Sequence, residues 1–226
     1  MTRDYTRSIR EAVNLLAQKC PRLVASCYWA GTGAISVEEL GHRQSFDLDF
    51  HTRKALQDVR PLQAEMAKAF PGGFELIHAS DEYGSGFKGL LSLPSGEKIT
   101  VEVLSNYEDV SDTDLVASQV GHLFKRVSLL RYLADKVQCI VERSEARDLV
   151  DIAAVLHRHP ELEEHIRRLL AEQDELMVVE RLLGWTDASI VADLTAYTDV
   201  DPSQARDMRD QLLTWIRSAD RSGSGT

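Results

Sequence analysis

Two aspartates, Asp47 and Asp49, stand two residues apart in the run Phe46-Asp47-Leu48-Asp49-Phe50. The aromatic and aliphatic residues alternate with them at the two-residue period of a β-strand, so one face of that strand is apolar and the other carries two carboxylates side by side. Paired carboxylate oxygens suit a hard divalent cation such as magnesium. Upstream, Gly31-Thr32-Gly33 is a small-residue turn through which a backbone can approach a phosphate. A phosphatase-type Asp-x-Asp fits poorly, because its first aspartate ends a wholly apolar strand and here Arg43-Gln44-Ser45 precede Phe46.

A second set of ionisable residues lies in a helical pattern. With Leu133, Val137 and Ile140 on the buried face, Lys136 and Arg143 share one flank while Asp135 and Glu142 face solvent. From that flank Lys136 can reach a triphosphate, or merely snorkel past the apolar face. In the next helix Leu149, Ile152, Ala153 and Leu156 form the core stripe. Asp148 and Asp151 sit together at i, i+3, within reach of Arg147 or Arg143 for a salt bridge.

These two blocks together resemble the AbiEii-type nucleotidyltransferases of the DNA polymerase beta-like superfamily. The first is Trp29-Ala30-Gly31-Thr32 with Gly41-His42-Arg43-x-Ser45-x-Asp47-x-Asp49-Phe50. The second is Ala134-Asp135-Lys136, Arg143 and Arg147-Asp148-Leu149-Val150-Asp151-Ile152. The resemblance implies that Asp47 and Asp49 hold Mg2+, that Lys136 neutralises an NTP triphosphate and that an acid of Arg147-Asp148-Leu149-Val150-Asp151, Asp151 first and Asp148 second, orients or deprotonates the acceptor. Gly31, Thr32, Arg43, Ser45, Arg143 and Asp148 are assigned by it to substrate binding. His42 either joins them or braces the turn. Glu102, on the face of Ile99-Thr100-Val101-Glu102-Val103 opposite the apolar residues, is either a third metal-binding acid or an exposed glutamate.

The elements that must place these groups read as follows. Residues 4–19 form an amphipathic helix, Leu23–Trp29 a strand, Ala34–Leu40 a short helix stopped by Gly41, and 58–70 a helix ended by Pro71-Gly72-Gly73. Strands follow at Phe74–Ala79, Phe87–Leu93 and Lys98–Leu104, the last two joined as a hairpin through Pro94-Ser95-Gly96. From residue 128 the pattern is helical, with Asp201-Pro202 opening the last helix. Gly84-x-Gly86-x-x-Gly89 matches a dinucleotide fingerprint only formally, because a strand and not a helix follows it. Trp185 and Trp215 are expected in the core.

The expected architecture is therefore α+β: a polymerase beta-like mixed sheet with flanking helices in residues 1–125, a helical domain in 126–220 and a disordered tail at 221–226. The net charge is −10, with 13 basic and 17 acidic residues in 1–125 and 13 and 19 in 126–226. Such a balance disfavours nonspecific wrapping of nucleic acid while leaving room for a local basic cleft. Cys20, Cys27 and Cys139 show no metal or disulfide spacing, and no apolar run is long enough to span a membrane. The chain reads as cytoplasmic.

The function expected is transfer of an NMP from an NTP to a hydroxyl acceptor, with an RNA such as a tRNA end among the acceptors. By resemblance the protein is the toxin of a bacterial toxin–antitoxin system and has a cognate antitoxin. The alternatives are nucleotidylation of a small molecule or protein, or a catalytically degenerate member that binds nucleotide or a partner.

Overall fold

The structure, a computed structural model, describes residues 5–143 and 145–223. The chain divides into two compact units at residue 131. In the first, α1 (Tyr5–Lys19), α2 (Pro21–Ser26) and β1 (Cys27–Ala30) lead to α3 (Gly31–Ile35), which continues as a π-helical turn over Ser36–Leu40. Then come β2 (Asp47–Ala55), α4 (Arg60–Ala69), β3 (Phe74–His78), β4 (Gly86–Ser92), β5 (Lys98–Asn106), β6 (Leu115–Ala117) and β7 (Lys125–Val127). The strands form one mixed sheet in the order β3-β4-β5-β2-β1-β7-β6. β2 runs parallel to β5 and β1 parallel to β7, while the other pairs are antiparallel.

Alternation sorts the sheet into two faces. Leu48 and Phe50 on β2, Val101 and Val103 on β5, and Phe87 and Leu91 on β4 are buried with Trp29, covered by Ile9, Val13 and Leu16 of α1. Asp47, Asp49, His51 and Arg53 occupy the other face of β2 and are partly buried there.

One reading changes. Leu23–Trp29 is not a single strand: Pro21 opens a six-residue helix, and only Cys27–Ala30 are extended. A short apolar run has no period that separates strand from helix, and Pro21 at the first helical turn decides the matter. The helix expected at Ala34 starts already at Gly31 and ends, as expected, at Gly41, whose φ of 61° only glycine adopts readily and whose N–H bonds to the Ser36 carbonyl. β6 and β7, three residues each, carry too little pattern to be foreseen.

The π-helical turn is anchored by charge. Glu38 has a fully buried side chain whose Oε2 accepts from Arg126 Nε at 2.8 Å. Its Oε1 accepts from Ser118 Oγ and from the backbone N–H groups of Gln119 and Val120. Arg126 also reaches Glu39 at 2.8 Å. This network ties the helix after the glycine turn to β7 and to the loop before it.

The second unit is helical: the body of α5 (Leu129–Glu142), then α6 (Ala146–Arg158), α7 (Glu163–Ala171), α8 (Glu175–Gly184), α9 (Asp187–Leu194) and α10 (Pro202–Gly223). Leu133, Val137, Leu149, Ile152, Leu182 and Leu212 are among its buried residues, and Trp185 and Trp215 are buried as expected. Asp201 accepts from the Ser203 N–H at the start of α10. That helix continues through residues 221–223, and 224–226 lie outside the described residues.

Glu38→Ala is expected to destabilise the protein by about 3 kcal/mol, because it strips a buried guanidinium and two backbone donors of their acceptor. Urea denaturation checks this. A loss below about 1 kcal/mol would show that Glu39 and water replace Glu38 without cost.

Candidate functional site

On the half-exposed face of the sheet the two aspartates meet the glycine turn directly. Gly31 has φ +69°, and a Cβ built there would stand 2.4 Å from Asp49 Oδ2. Both the backbone conformation and the space thus require glycine. A Cβ on Gly33 would lie 3.3 Å from the Asp47 carbonyl and 3.5 Å from Ser45 Oγ. Ser45 Oγ in turn donates to Asp47 Oδ1 at 3.2 Å. The turn and the acid strand are therefore packed backbone to side chain.

Arg43 and Thr32 brace this contact. The Arg43 guanidinium is buried and donates from Nη2 to Thr32 Oγ1 at 2.9 Å and from Nη1 to the Gln44 carbonyl, while the Arg43 carbonyl accepts from Ser36 Oγ. Thr32 is buried as well, so its hydroxyl serves the turn. His42 is half-buried in the connection between α3 and β2.

Register places Glu102 beside Asp49 across the β2–β5 pair, and Thr100 beside Asp47. The Glu102 carboxylate lies 3.6 Å from Lys88 Nζ, and both side chains are about one-third exposed. Among the described residues no three His, Cys, Asp or Glu side chains are gathered as a metal cluster. The residues present nonetheless fit magnesium in kind. Asp47 and Asp49 offer only oxygen donors, and the bare α-carbon of Gly31 leaves the Asp49 carboxylate approachable.

Two residues of this face were not singled out from the sequence, although each continues an alternation already recognised there. One is Lys88. The other is His51, next along β2, whose ring stacks edge-on to Tyr28 at 5.9 Å. Burial, and to a lesser degree the charge of Arg131, pushes the His51 pKa from 6.5 down to about 4 against a hydrogen bond with Asn106 that favours the charged form. The thiols of Cys20 and Cys27 are both pushed up to about 12, chiefly by burial, which removes them as nucleophiles at neutral pH.

In the helical unit the predicted residues do come together, but in a buried arrangement. Lys136 is not an exposed flank residue: its side chain is 7 % exposed, and Nζ lies 2.7 Å from Asp148 and 2.7 Å from Asp151, both fully buried. The wheel misjudges it because it places side chains relative to one helix, and here α6 covers the flank of α5. Arg143 adds a two-pronged bond to Asp148, Nε and Nη2 each at 3.0 Å. Burial disfavours the Lys136 ammonium, but Asp151, Tyr132 and Asp148 outweigh it and hold its pKa above the ordinary lysine value. Arg147 is engaged elsewhere, with Glu145 and the Tyr197 hydroxyl. A separate cavity of about 740 Å³, bordered by Met177, Arg181, Trp185 and Asp193, contains none of the predicted residues.

A mixed sheet bearing an acidic pair under a glycine turn, followed by a helical unit, defines a nucleotidyltransferase-like class. The family model described as nucleotidyl transferase AbiEii toxin, type IV toxin–antitoxin system, matches residues 32–214, and the chain belongs to that family and is a nucleotidyltransferase. Solved structures share the fold. JHP933 from Helicobacter pylori is 17% identical, with 97% of this chain and 93% of that one covered at a TM-score of 0.52. MenT4, a nucleotidyltransferase toxin from Mycobacterium tuberculosis H37Rv, is 15% identical, with 94% and 84% covered at 0.51. No curated protein matches the chain significantly. No helix among the described residues is long and apolar enough to cross a membrane.

Lys136→Ala leaves two buried carboxylates facing each other and is expected to lower stability by roughly 3–5 kcal/mol. Chemical denaturation at pH 7 measures it, and an unchanged midpoint would mean that water enters and solvates both acids. For His51 the sign is that of a buried neutral base. Its folded pKa of about 4 lies below 6.5, so its contribution is complete above pH 6.5 and is lost as the pH falls toward 4. Over that window wild type should lose about 3 kcal/mol more than His51→Gln. Parallel pH profiles for the two would contradict the burial.

Proposed function

We propose that this nucleotidyltransferase transfers a nucleoside monophosphate from an NTP to a hydroxyl on an RNA acceptor, such as a tRNA end, as the toxin of a bacterial toxin–antitoxin pair. The observation that carries the reading is the bare α-carbon of Gly31 against the Asp49 carboxylate, with Asp47 beside it. Asp47 and Asp49 would hold magnesium, which when bound offsets charge on the triphosphate during in-line displacement. Gly31 and Thr32 offer backbone to the phosphates, held in shape by Arg43 and Ser45, with His42 alongside. The acceptor oxygen forms a bond to the α-phosphorus, the bond to pyrophosphate breaks, and the acceptor proton passes to a carboxylate; Asp151, the group assigned to that role, would first have to leave its 2.7 Å ion pair with Lys136.

Lys136 keeps its assignment to the triphosphate, with Arg143 and Asp148 as its neighbours, but substrate must compete with ion pairs of 2.7 Å to Asp148 and Asp151. A protein antitoxin is the partner that the toxin role calls for. Family membership supports the enzyme class and the toxin role. Nucleotidylation of a protein or small molecule is the alternative to an RNA acceptor.

Incubation of the protein with each α-labelled NTP, magnesium and total RNA tests the reading. Label is expected in RNA, and Asp47→Asn or Asp49→Asn should reduce transfer by about two orders of magnitude or more while leaving the thermal midpoint close to wild type. Label in protein or small molecules would move the assignment to the alternative acceptors. Near wild-type turnover in either variant at saturating magnesium would sink the site itself.

A further inference from the structure

A single cross-strand row runs over the half-exposed face of the sheet. Ala30 pairs with Asp49, Asp49 with Glu102 and Glu102 with Lys88, so four strands contribute one residue each to one line. Residues opposite each other across a pair project to the same side, and neighbouring strands lie about 4.8 Å apart. The Lys88 backbone is thus roughly 10 Å from that of Asp49, and a lysine side chain spans much of that interval. Its Nζ is found 3.6 Å from Glu102 Oε2, on the side of Lys88 that faces the acid pair.

The row is asymmetric about Asp49. On the β1 side stands the Gly31 turn, where a Cβ would overlap the Asp49 carboxylate. On the β5 side stand Glu102 and then a cation. Attacking and leaving oxygens lie on opposite sides of the phosphorus in an in-line transfer. If the triphosphate lies over the Gly31–Thr32 turn, as the proposed function has it, the acceptor must come in over β5 and β4. There it meets Lys88.

We infer that Lys88, aimed by Glu102, binds the phosphate that neighbours the acceptor hydroxyl, and that this pair selects a nucleic-acid end over an uncharged or cationic acceptor. The inference rests on the RNA reading above and adds the residues that enforce it. The Lys88–Glu102 pair is suited to the exchange: with both side chains about one-third exposed, it is a surface pair that a phosphate can displace or share. In a chain of net charge −10, a lysine at this position stands out as a local attraction for an anion. Glu102 is on this view a positioning residue and not a third metal ligand, with Oε2 at 3.6 Å from Lys88 Nζ. Arg53, on the same face of β2, is directed instead to Asp112, at 3.7 Å.

The test uses the full-length protein, α-labelled NTP and total RNA, with KM measured separately for NTP and RNA in wild type, Lys88→Ala, Lys88→Arg and Glu102→Gln. Lys88→Ala should raise the RNA KM about tenfold at low salt and leave the NTP KM within about twofold, with Lys88→Arg restoring most of the loss. The slope of affinity against salt should fall by about one in Lys88→Ala. Glu102→Gln should alter the RNA KM and not the magnesium dependence. A change confined to the NTP KM, or none in either constant, overturns the inference, as does a shift of the magnesium requirement in Glu102→Gln. If wild type labels no RNA, the RNA reading fails on its own. Fluorescence anisotropy with a labelled single-stranded RNA then still decides on Lys88: weaker binding by Lys88→Glu at an unchanged thermal midpoint upholds the anion contact, and equal binding, or none by wild type, overturns it.

Discussion

Any side chain at position 31 would overlap the Asp49 carboxylate, and the rest of the sheet unit is arranged around that contact. A strand can display two acids to solvent at little cost, but acids alone are a solvated surface. What distinguishes this pair is that a helix start with a left-handed glycine is pressed onto it. Holding the turn there takes buried charge. Arg43 is spent on Thr32 and on the carbonyl of Gln44, and Glu38 and Arg126 fix the far end of the same helix. These polar groups lie inside the protein paired with one another, and each would be a liability singly.

The two groups of acids in this chain follow opposite electrostatic rules. Asp47 and Asp49 stand half-exposed, with the Ser45 hydroxyl as the neutral partner of Asp47. Carboxylates kept at a partly exposed surface in that way are accessible to a cation. Asp148 and Asp151 are fully buried and tied to Lys136, with Arg143 added at Asp148. Their first effect is to clamp α5 to α6. A buried cluster of this kind is weak evidence for net stability, yet removing one member is costly, and that cost makes the arrangement specific.

Much of the sheet unit was legible because its pattern is local. The alternation around Asp47 and Asp49 gave the strand and its faces, and Pro94-Ser95-Gly96 gave the hairpin. Gly31 and Gly41 marked turns that their positive φ values now explain. What stayed hidden depended on partners distant in sequence. Glu38 and Arg126 are 88 residues apart, and neither has a local feature that announces a buried pair. Lys136 lies on the flank of its own helix that the wheel gives, but its burial comes from the acids of α6, which a wheel cannot show. His51 and Lys88 were visible in principle, each one alternation step along a strand already identified, but an isolated histidine or lysine on a half-exposed strand carries no chemistry until the register across strands is known.

That register also changes how the third acid is weighed. Along β5 alone, Glu102 was equally good as a metal ligand and as an idle surface residue. Across the sheet it lies between Asp49 and Lys88, a position with two different electrostatic demands. Turned toward Asp49 it would add a third negative charge to an already acidic site, and turned toward Lys88 it meets a cation. In the structure one of its oxygens, Oε2, lies 3.6 Å from Lys88 Nζ. Neighbouring like charges would raise the cost of keeping the row ionised, whereas the Lys88 pair lets the acid face end in a cation. On the proposed reading, a phosphate-bearing acceptor crossing that boundary would pass from attraction at Lys88 to the acid pair itself, where a bound divalent cation would offset its charge. The order of charges along the row would thus favour an acceptor that arrives after the metal and the nucleotide are in place.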